Sequence, residues 1–366
     1  MVVTLDAGRN ARKEQAGAQA NLHSSAVTKS GLPLQIRRVV LRDLSRTVFK
    51  GGMHLNFTLC QQIVENVARV IVGKQQPVEL LMVALLSDGH VLIEDVPGLG
   101  KTLVAKSLAR SIGGSFRRVQ FTPDLLPSDV TGFNIYNQQA CEFTFQAGPV
   151  MTHILLADEI NRTIPRTQSS LLESMEERQV TVDGKTYPLP HPFFVMATQN
   201  PIELEGTFPL PEAQLDRFLL KIHLGYPEEE EEIAILARFQ QADPFLDLKA
   251  VANPEQVVEL QQARKRIHIS APVREYITAI VRATRTHPSL RLGASPRGSL
   301  GLMRAGQALA ALRGREYVLP DDIKSLAVPV LAHRLILREE ERLRAQTPER
   351  VVEEILRQIP VPAPTE

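Results

Sequence analysis

From Thr58 onward the apolar positions recur at helical spacing, with Leu59, Ile63, Val67 and Val70 three or four residues apart. Pro77 reads as the opening of a second helix bearing Leu80, Leu81, Val83, Ala84 and Leu85, closed by Asp88-Gly89. The period then changes. Short apolar runs at 90–93, 116–121, 154–157, 193–198 and 218–223 read as five strands, and helical stretches at 101–112 and about 165–177 alternate with them. Such alternation predicts an α/β fold with a mostly parallel sheet covered by helices on both faces.

Two stretches break the rhythm. Residues 134–149 show short alternating segments around a mid-point turn. Residues 179–190 place Asp183-Gly184, a hairpin dipeptide, between Val180/Val182 and Thr186/Tyr187. Both read as β-hairpin insertions, placed to touch something else. At Gly225 the composition shifts. Pro227 followed by Glu228, Glu229, Glu230, Glu231 and Glu232 reads as a solvated first helical turn, where carboxylates favour the positive end of the helix dipole. Beyond it the pattern is helical throughout, broken near Pro244, Pro254, Pro272, Pro288, Pro296 and Pro320. The expected division is therefore an α/β domain over 53–225, a helical lid over 226–340 and a C-terminal tail over 341–366. Residues 1–52 lack a sustained period and read as a disordered extension, or as a mis-assigned one with Met53 the true start.

Composition narrows the field. The 366 residues suit more than one average domain, and 43% hydrophobic with 23% charged residues is ordinary for a soluble protein. The net charge of +1 is uneven. Residues 1–52 hold nine basic and three acidic side chains, which leaves the remainder at −5. A mildly acidic body without tryptophan argues against a nucleic-acid partner. Two cysteines, Cys60 and Cys141, build neither a disulfide framework nor a zinc site and suit a reducing compartment. No apolar run has the length of a membrane span, and no signal-peptide core is present, so the expected location is cytoplasmic.

The chemistry concentrates at strand ends. Residues 94–102 read EDVPGLGKT, between an apolar strand and an apolar-faced helix. Gly98 and Gly100 let the loop of Val96, Pro97, Gly98, Leu99 and Gly100 turn several N–H groups toward one anion. The helix opening at Lys101, Thr102 and Leu103 adds its dipole. Lys101 can reach the β- and γ-phosphates of ATP, and the Thr102 hydroxyl can ligate Mg²⁺. The strict signature begins with glycine where Asp95 stands, a substitution read here as tolerance of an unusual backbone angle. The strand 154–157 delivers Asp158, as a magnesium ligand through its water shell, and Glu159, as the group that polarises an attacking water. Asn200, beyond the strand 193–198, can hydrogen-bond both that water and the γ-phosphate.

Taken together, the loop, the DEIN-R stretch of 158–162 and TQNPIELEGTFPLPEAQLDRF at 198–218 resemble the MoxR family of AAA+ ATPases over roughly residues 56–337. The resemblance implies that the two hairpins are the helix-2 insert and the pre-sensor-1 insert of that branch. It also implies a homo-oligomeric ring, commonly hexameric, with ATP at subunit boundaries. By resemblance Asn200 is the first sensor, Arg217 the arginine finger that reaches a neighbour's ATP, and Arg297 the second sensor in the lid. Val72 and Gly73 match the stretch lying against adenine. Arg162 and Arg166 also flank the boundary in such proteins. The implied work is ATP-driven remodelling or maturation of partner proteins, typically ones with a von Willebrand factor A domain. An AAA+ nucleic-acid motor is the alternative.

Overall fold

The structure, a computed structural model, describes residues 57–139, 141–201, 206–241 and 243–362. Two helices come first, α1 (Thr58–Ala68) and α2 (Gln75–Leu86). Strand β1 (Val91–Glu94) turns into α3 (Lys101–Ser111), followed by β2 (Phe116–Gln120) and the short α4 (Pro127–Thr131). A hairpin of β3 (Gly132–Asn137) and β4 (Glu142–Ala147) precedes β5 (Ile154–Asp158) and α5 (Pro165–Glu177). A second hairpin, β6 (Gln179–Val182) and β7 (Lys185–Pro188), leads to β8 (Phe194–Gln199), α6 (Glu212–Leu215) and β9 (Leu220–Ile222). Then come α7 (Glu229–Gln241), α8 (Pro254–Arg264), α9 (Ala271–Thr286), β10 (Leu290–Leu292), α10 (Pro296–Leu312) and α11 (Pro320–Leu331). The last elements are β11 (Ile336–Leu337), α12 (Glu339–Leu343) and α13 (Pro348–Gln358).

The five expected strands form one parallel sheet in the order β2-β5-β8-β1-β9. Alternation along each strand splits its apolar residues between two faces. Leu92, Leu155, Ala157, Val195 and Ala197 face α5 and the second hairpin. Val91, Ile93, Ile154, Leu156, Phe194 and Met196 face the other way, in a core continuous with α1, α2, α3 and the C-terminal helices. The register aligns the carboxyl ends, pairing Glu94 with Gln199 and Gln120 with Asp158. That row of ends positions the site.

Both hairpins form. Asp183 (φ 50°) and Gly184 (φ 77°) carry the left-handed turn that the dipeptide predicted. The hairpins also brace each other. The Tyr187 ring stacks on Phe145 with centroids 4.0 Å apart, and Asn134 donates to the Asp183 carboxylate at 2.8 Å.

Several expectations need correction. The second helix starts at Gln75, two residues before Pro77, because proline is tolerated anywhere in the first turn, where N–H groups lack helical partners. The C-terminal half is not wholly helical, since β10 and β11 pair as an antiparallel ribbon. Residues 341–366 are not simply a tail. Thr347 caps α13, and Val351, Val352, Ile355 and Leu356 at helical spacing bury one face in the core. The glutamate run is solvated except at Glu231, whose carboxylate turns back to receive the Glu228 N–H at 3.0 Å and lie against Gly73. The readings of residues 1–52, and of Met53 as a start, lie outside the described residues, as do residues 202–205 of the 198–218 stretch.

Candidate functional site

At the carboxyl ends of β1, β5 and β8 lies a cavity of about 360 Å³. Lys101 and Thr102 enter it from the first turn of α3, Asp158 and Glu159 from the end of β5, and Asn200 from beyond β8. Gly98 (φ 90°) and Gly100 (φ 82°) hold the loop open. A side chain added at either would meet nothing within 4 Å, so the space beside the backbone is clear for an incoming anion. Lys101 donates to the Asp95 carbonyl at 2.6 Å. Burial pulls its pKa below the usual lysine value, opposed by the negative charge of Asp95, Asp158 and Glu159. A polyphosphate beside it would strengthen that opposition and favour the charged form.

The acidic pair is held by an unanticipated set of partners. Thr198 donates from its hydroxyl to Asp158 Oδ1 at 2.6 Å and accepts the Glu159 N–H at 2.8 Å. Arg118 donates to Asp158 Oδ2 from Nε and Nη2 at 3.0 and 2.7 Å. Gln120 donates to Glu159 Oε2 at 2.6 Å, and Arg162 Nε lies 3.2 Å from the same oxygen. Glu159 itself is left-handed (φ 57°, ψ 51°), an uncommon state for a residue with a Cβ. Thr198, Arg118 and Gln120 were missed because their importance depends on β2 and β8 lying on either side of β5. Strand order is not written in periodicity. The signal available was alternation, which put Arg118 and Gln120 on one side of an otherwise ordinary edge strand.

Asp95 corrects an expectation. It is not among the left-handed residues of the described chain, so an unusual backbone angle does not explain it. Its buried carboxylate instead accepts the N–H of Leu224 at 2.5 Å and of Gly225 at 3.4 Å, where the chain leaves β9.

Not every predicted residue gathers here. Val72, Gly73, Val96 and Leu99 do not line the cavity. Gly73 (φ 72°) is covered by the Glu231 carboxylate, whose atoms would stand 2.0–2.3 Å from an added Cβ. Arg217 and Arg297 lie elsewhere altogether. Both help line a second cavity, about 420 Å³, beside Gly89 and His90 at the amino end of β1. There they share Glu176, with Arg217 Nε 2.9 Å from Oε2 and Arg297 Nη2 2.6 Å from Oε1. Arg297 does open a helix of the C-terminal half, α10, but it does not face this chain's own phosphate loop. Arg162 is engaged with Glu159, and Arg166 is exposed.

A five-stranded parallel sheet with a glycine-bearing phosphate loop, an Asp-Glu pair and a helical C-terminal region defines an AAA+ ATPase. Residues 90–220 match the sequence profile of the ATPase family associated with various cellular activities (AAA), and residues 282–355 that of the AAA lid domain. The chain belongs to the MoxR family of these proteins. It is 45% identical to Chaperone MoxR1 of Mycobacterium tuberculosis over 320 residues, covering 85% of this chain and 84% of the relative. It is 53% identical over 304 residues to the uncharacterized protein YeaC of Bacillus subtilis, covering 83% of this chain and 95% of the relative. A solved structure from Cytophaga hutchinsonii, described as a candidate ATPase, superposes with a TM-score of 0.80 at 37% identity, covering 90% of this chain and all of that one.

Proposed function

We propose that the protein hydrolyses ATP within a homo-oligomeric ring, a hexamer as the family resemblance implies, and uses the turnover to remodel a partner protein. The observation that carries this is the convergence of Lys101, Thr102, Asp158, Glu159 and Asn200 on one cavity beside an open glycine cradle. Lys101 would leave the Asp95 carbonyl for the β- and γ-phosphates. Glu159, released from Gln120, would accept a hydrogen bond from water and draw its proton as the water oxygen attacks the γ-phosphorus and the bond to the β,γ-bridging oxygen breaks, so that ADP leaves. Asn200 would orient that water. The donor set fits magnesium: the Thr102 hydroxyl and the Asp158 carboxylate, both hard oxygen donors, line the cavity beside the phosphate loop. A site of Thr102, Asp158, water and phosphate oxygens is what this ion favours. Bound there, magnesium would neutralise charge on the β- and γ-oxygens.

Arg217 and Arg297 lie at the opposite end of the sheet from their own loop, which supports a role at a neighbour's nucleotide. Arg297, expected as the second sensor of the lid, would on this reading sense the nucleotide of a neighbouring subunit. An arginine supplied in trans contributes roughly 10³–10⁵ in rate. A lone subunit would then bind ATP and scarcely hydrolyse it.

The test mixes two inactive proteins, Arg217→Ala and Glu159→Gln. Recovered phosphate release in the mixture is expected, because the Glu159→Gln subunit lends its arginine to an intact neighbouring site. No recovery would mean that Arg217 acts in cis or only structurally. That one relative is named Chaperone MoxR1 supports a protein client, and a partner bearing a von Willebrand factor A domain is the one that the resemblance to the MoxR family implies. Trapping Glu159→Gln with ATP, sizing the assembly and identifying co-purifying chains in the cytoplasm tests that client and the ring together.

A further inference from the structure

We propose that Glu176 is a positioning residue that presents Arg217 and Arg297 as one two-pronged cation. This rests on the reading that these arginines serve a neighbour's triphosphate. Three features of the second cavity carry it. Each carboxylate oxygen of Glu176 takes one guanidinium, Oε2 from Arg217 at 2.9 Å and Oε1 from Arg297 at 2.6 Å. The two arginines come from parts of the chain about eighty residues apart, one just before β9 and one in the first turn of α10. Glu176 lies near the end of α5, whose first turn follows Glu159 by only six residues. Along its thirteen residues that helix spans about 20 Å, so it is a rigid strut from the water-polarising end to the arginine pair.

Two guanidinium groups drawn toward one site repel each other. A shared carboxylate offsets that repulsion and fixes their separation, while the outer nitrogens remain available. Asp216 steadies the same unit from behind. It accepts the Ser295 hydroxyl at 3.1 Å, pairs with the buried Arg334, and stands 4.0 Å from Arg297 Nε. The lining of this cavity still holds more arginine than carboxylate: Arg178, Arg304 and Arg334 join the pair, against Glu176, Asp216 and Asp88. The excess positive charge faces an opening of about 420 Å³, large enough to receive phosphate groups.

The contacts are ill-suited to a purely structural role. The Arg297 side chain is 50% exposed and that of Glu176 37%, and ion pairs this open add little to stability. Substituting Glu176 is therefore expected to leave folding and assembly in place.

The experiment measures steady-state ATPase activity, binding of a fluorescent ATP analogue and oligomer size for full-length Glu176→Gln, Glu176→Asp, Arg217→Ala, Arg297→Ala, the Arg217→Ala/Arg297→Ala double variant and the Arg217→Ala/Arg297→Ala/Glu176→Gln triple variant. Misplacing transition-state donors predicts that kcat of Glu176→Gln falls roughly 10- to 100-fold, with KM and analogue affinity nearly unchanged. Glu176→Asp, which keeps the shared charge, should recover part of the loss. On the double-arginine background Glu176→Gln should cost nothing further. If Arg217→Ala lowers kcat but Glu176→Gln does not, the positioning role is overturned while the trans reading stands. A loss from Glu176→Gln that persists without both arginines would also overturn it. If Arg217→Ala itself leaves kcat untouched, the trans reading falls and this inference with it.

Discussion

The carboxylate of Asp95 accepts the backbone N–H of Leu224 at 2.5 Å, joining the start of the phosphate loop to the segment where the chain leaves the sheet. The same residue's carbonyl receives the Lys101 ammonium. One side chain and one carbonyl thus link Lys101 to the connection at Gly225. Asp95→Ala would orphan a buried N–H, at a cost of about 1–3 kcal/mol. Hydrogen exchange should show faster exchange at Leu224 and Gly225, and Asp95→Asn, which retains an acceptor, should show a smaller change. Unaltered exchange at both amides would show that the contact does not hold this segment.

Lys101→Ala and Glu159→Gln should separate binding from turnover. A charge-assisted contact to phosphate is worth about 1.5–3 kcal/mol, so removing the lysine should weaken ATP binding roughly 10- to 100-fold in calorimetric titration. Glu159→Gln should bind ATP normally, with phosphate release lowered by about 10²–10⁴-fold. Normal turnover in that variant would remove Glu159 from its assigned role.

Two buried histidines make stability depend on pH. His90 accepts the Val195 N–H on Nδ1 at 3.0 Å, and its Nε2 lies 3.2 Å from the Met175 carbonyl, so it is a neutral Nε2–H tautomer. Burial, then Arg178, holds its pKa well below 6.5, and burial with Arg334 does the same to His333. Below about pH 6.5 the unfolded chain takes up protons on both rings and the folded chain does not. Stability is therefore retained above that pH and falls as acid is added, by up to about 1.4 kcal/mol per pH unit for each ring. Urea titrations between pH 7.5 and 5.5 should show this slope, and His90→Gln should remove one proton's share.

The two cysteines should differ sharply toward a thiol reagent. Cys60 is buried in the core, and burial pushes its thiol up to about 12. Cys141 is exposed on the first hairpin. At pH 8 one thiol should react in the native protein and both after unfolding. Rapid labelling of two thiols in the native state would contradict the packing of α1.

Much of this was legible in the chain, and the reason is local. The loop's glycines, the lysine that follows and the acidic pair lie within short stretches bounded by apolar strands, so periodicity places them at strand ends. The hairpin turn at Asp183-Gly184 needs only two residues to declare itself. What escaped depends on distant partners. Asp95 could be seen to depart from a glycine, but that its carboxylate would meet Leu224 requires β9 to lie beside β1. Arg118 and Gln120 matter because β2 pairs with β5. Arg297 could be located on a helix, yet the end of the sheet it faces follows from how α10 meets α5 through Glu176.

The flat contact of Tyr187 on Phe145, with the Asn134–Asp183 hydrogen bond beside it, makes one lever out of two hairpins. The second hairpin follows directly from α5, the same helix that begins just after Glu159, while the first carries the exposed rings of Tyr136 and Phe143. The two hairpins therefore form one braced projection, anchored on the helix that leaves the acidic pair and ending in exposed aromatic rings.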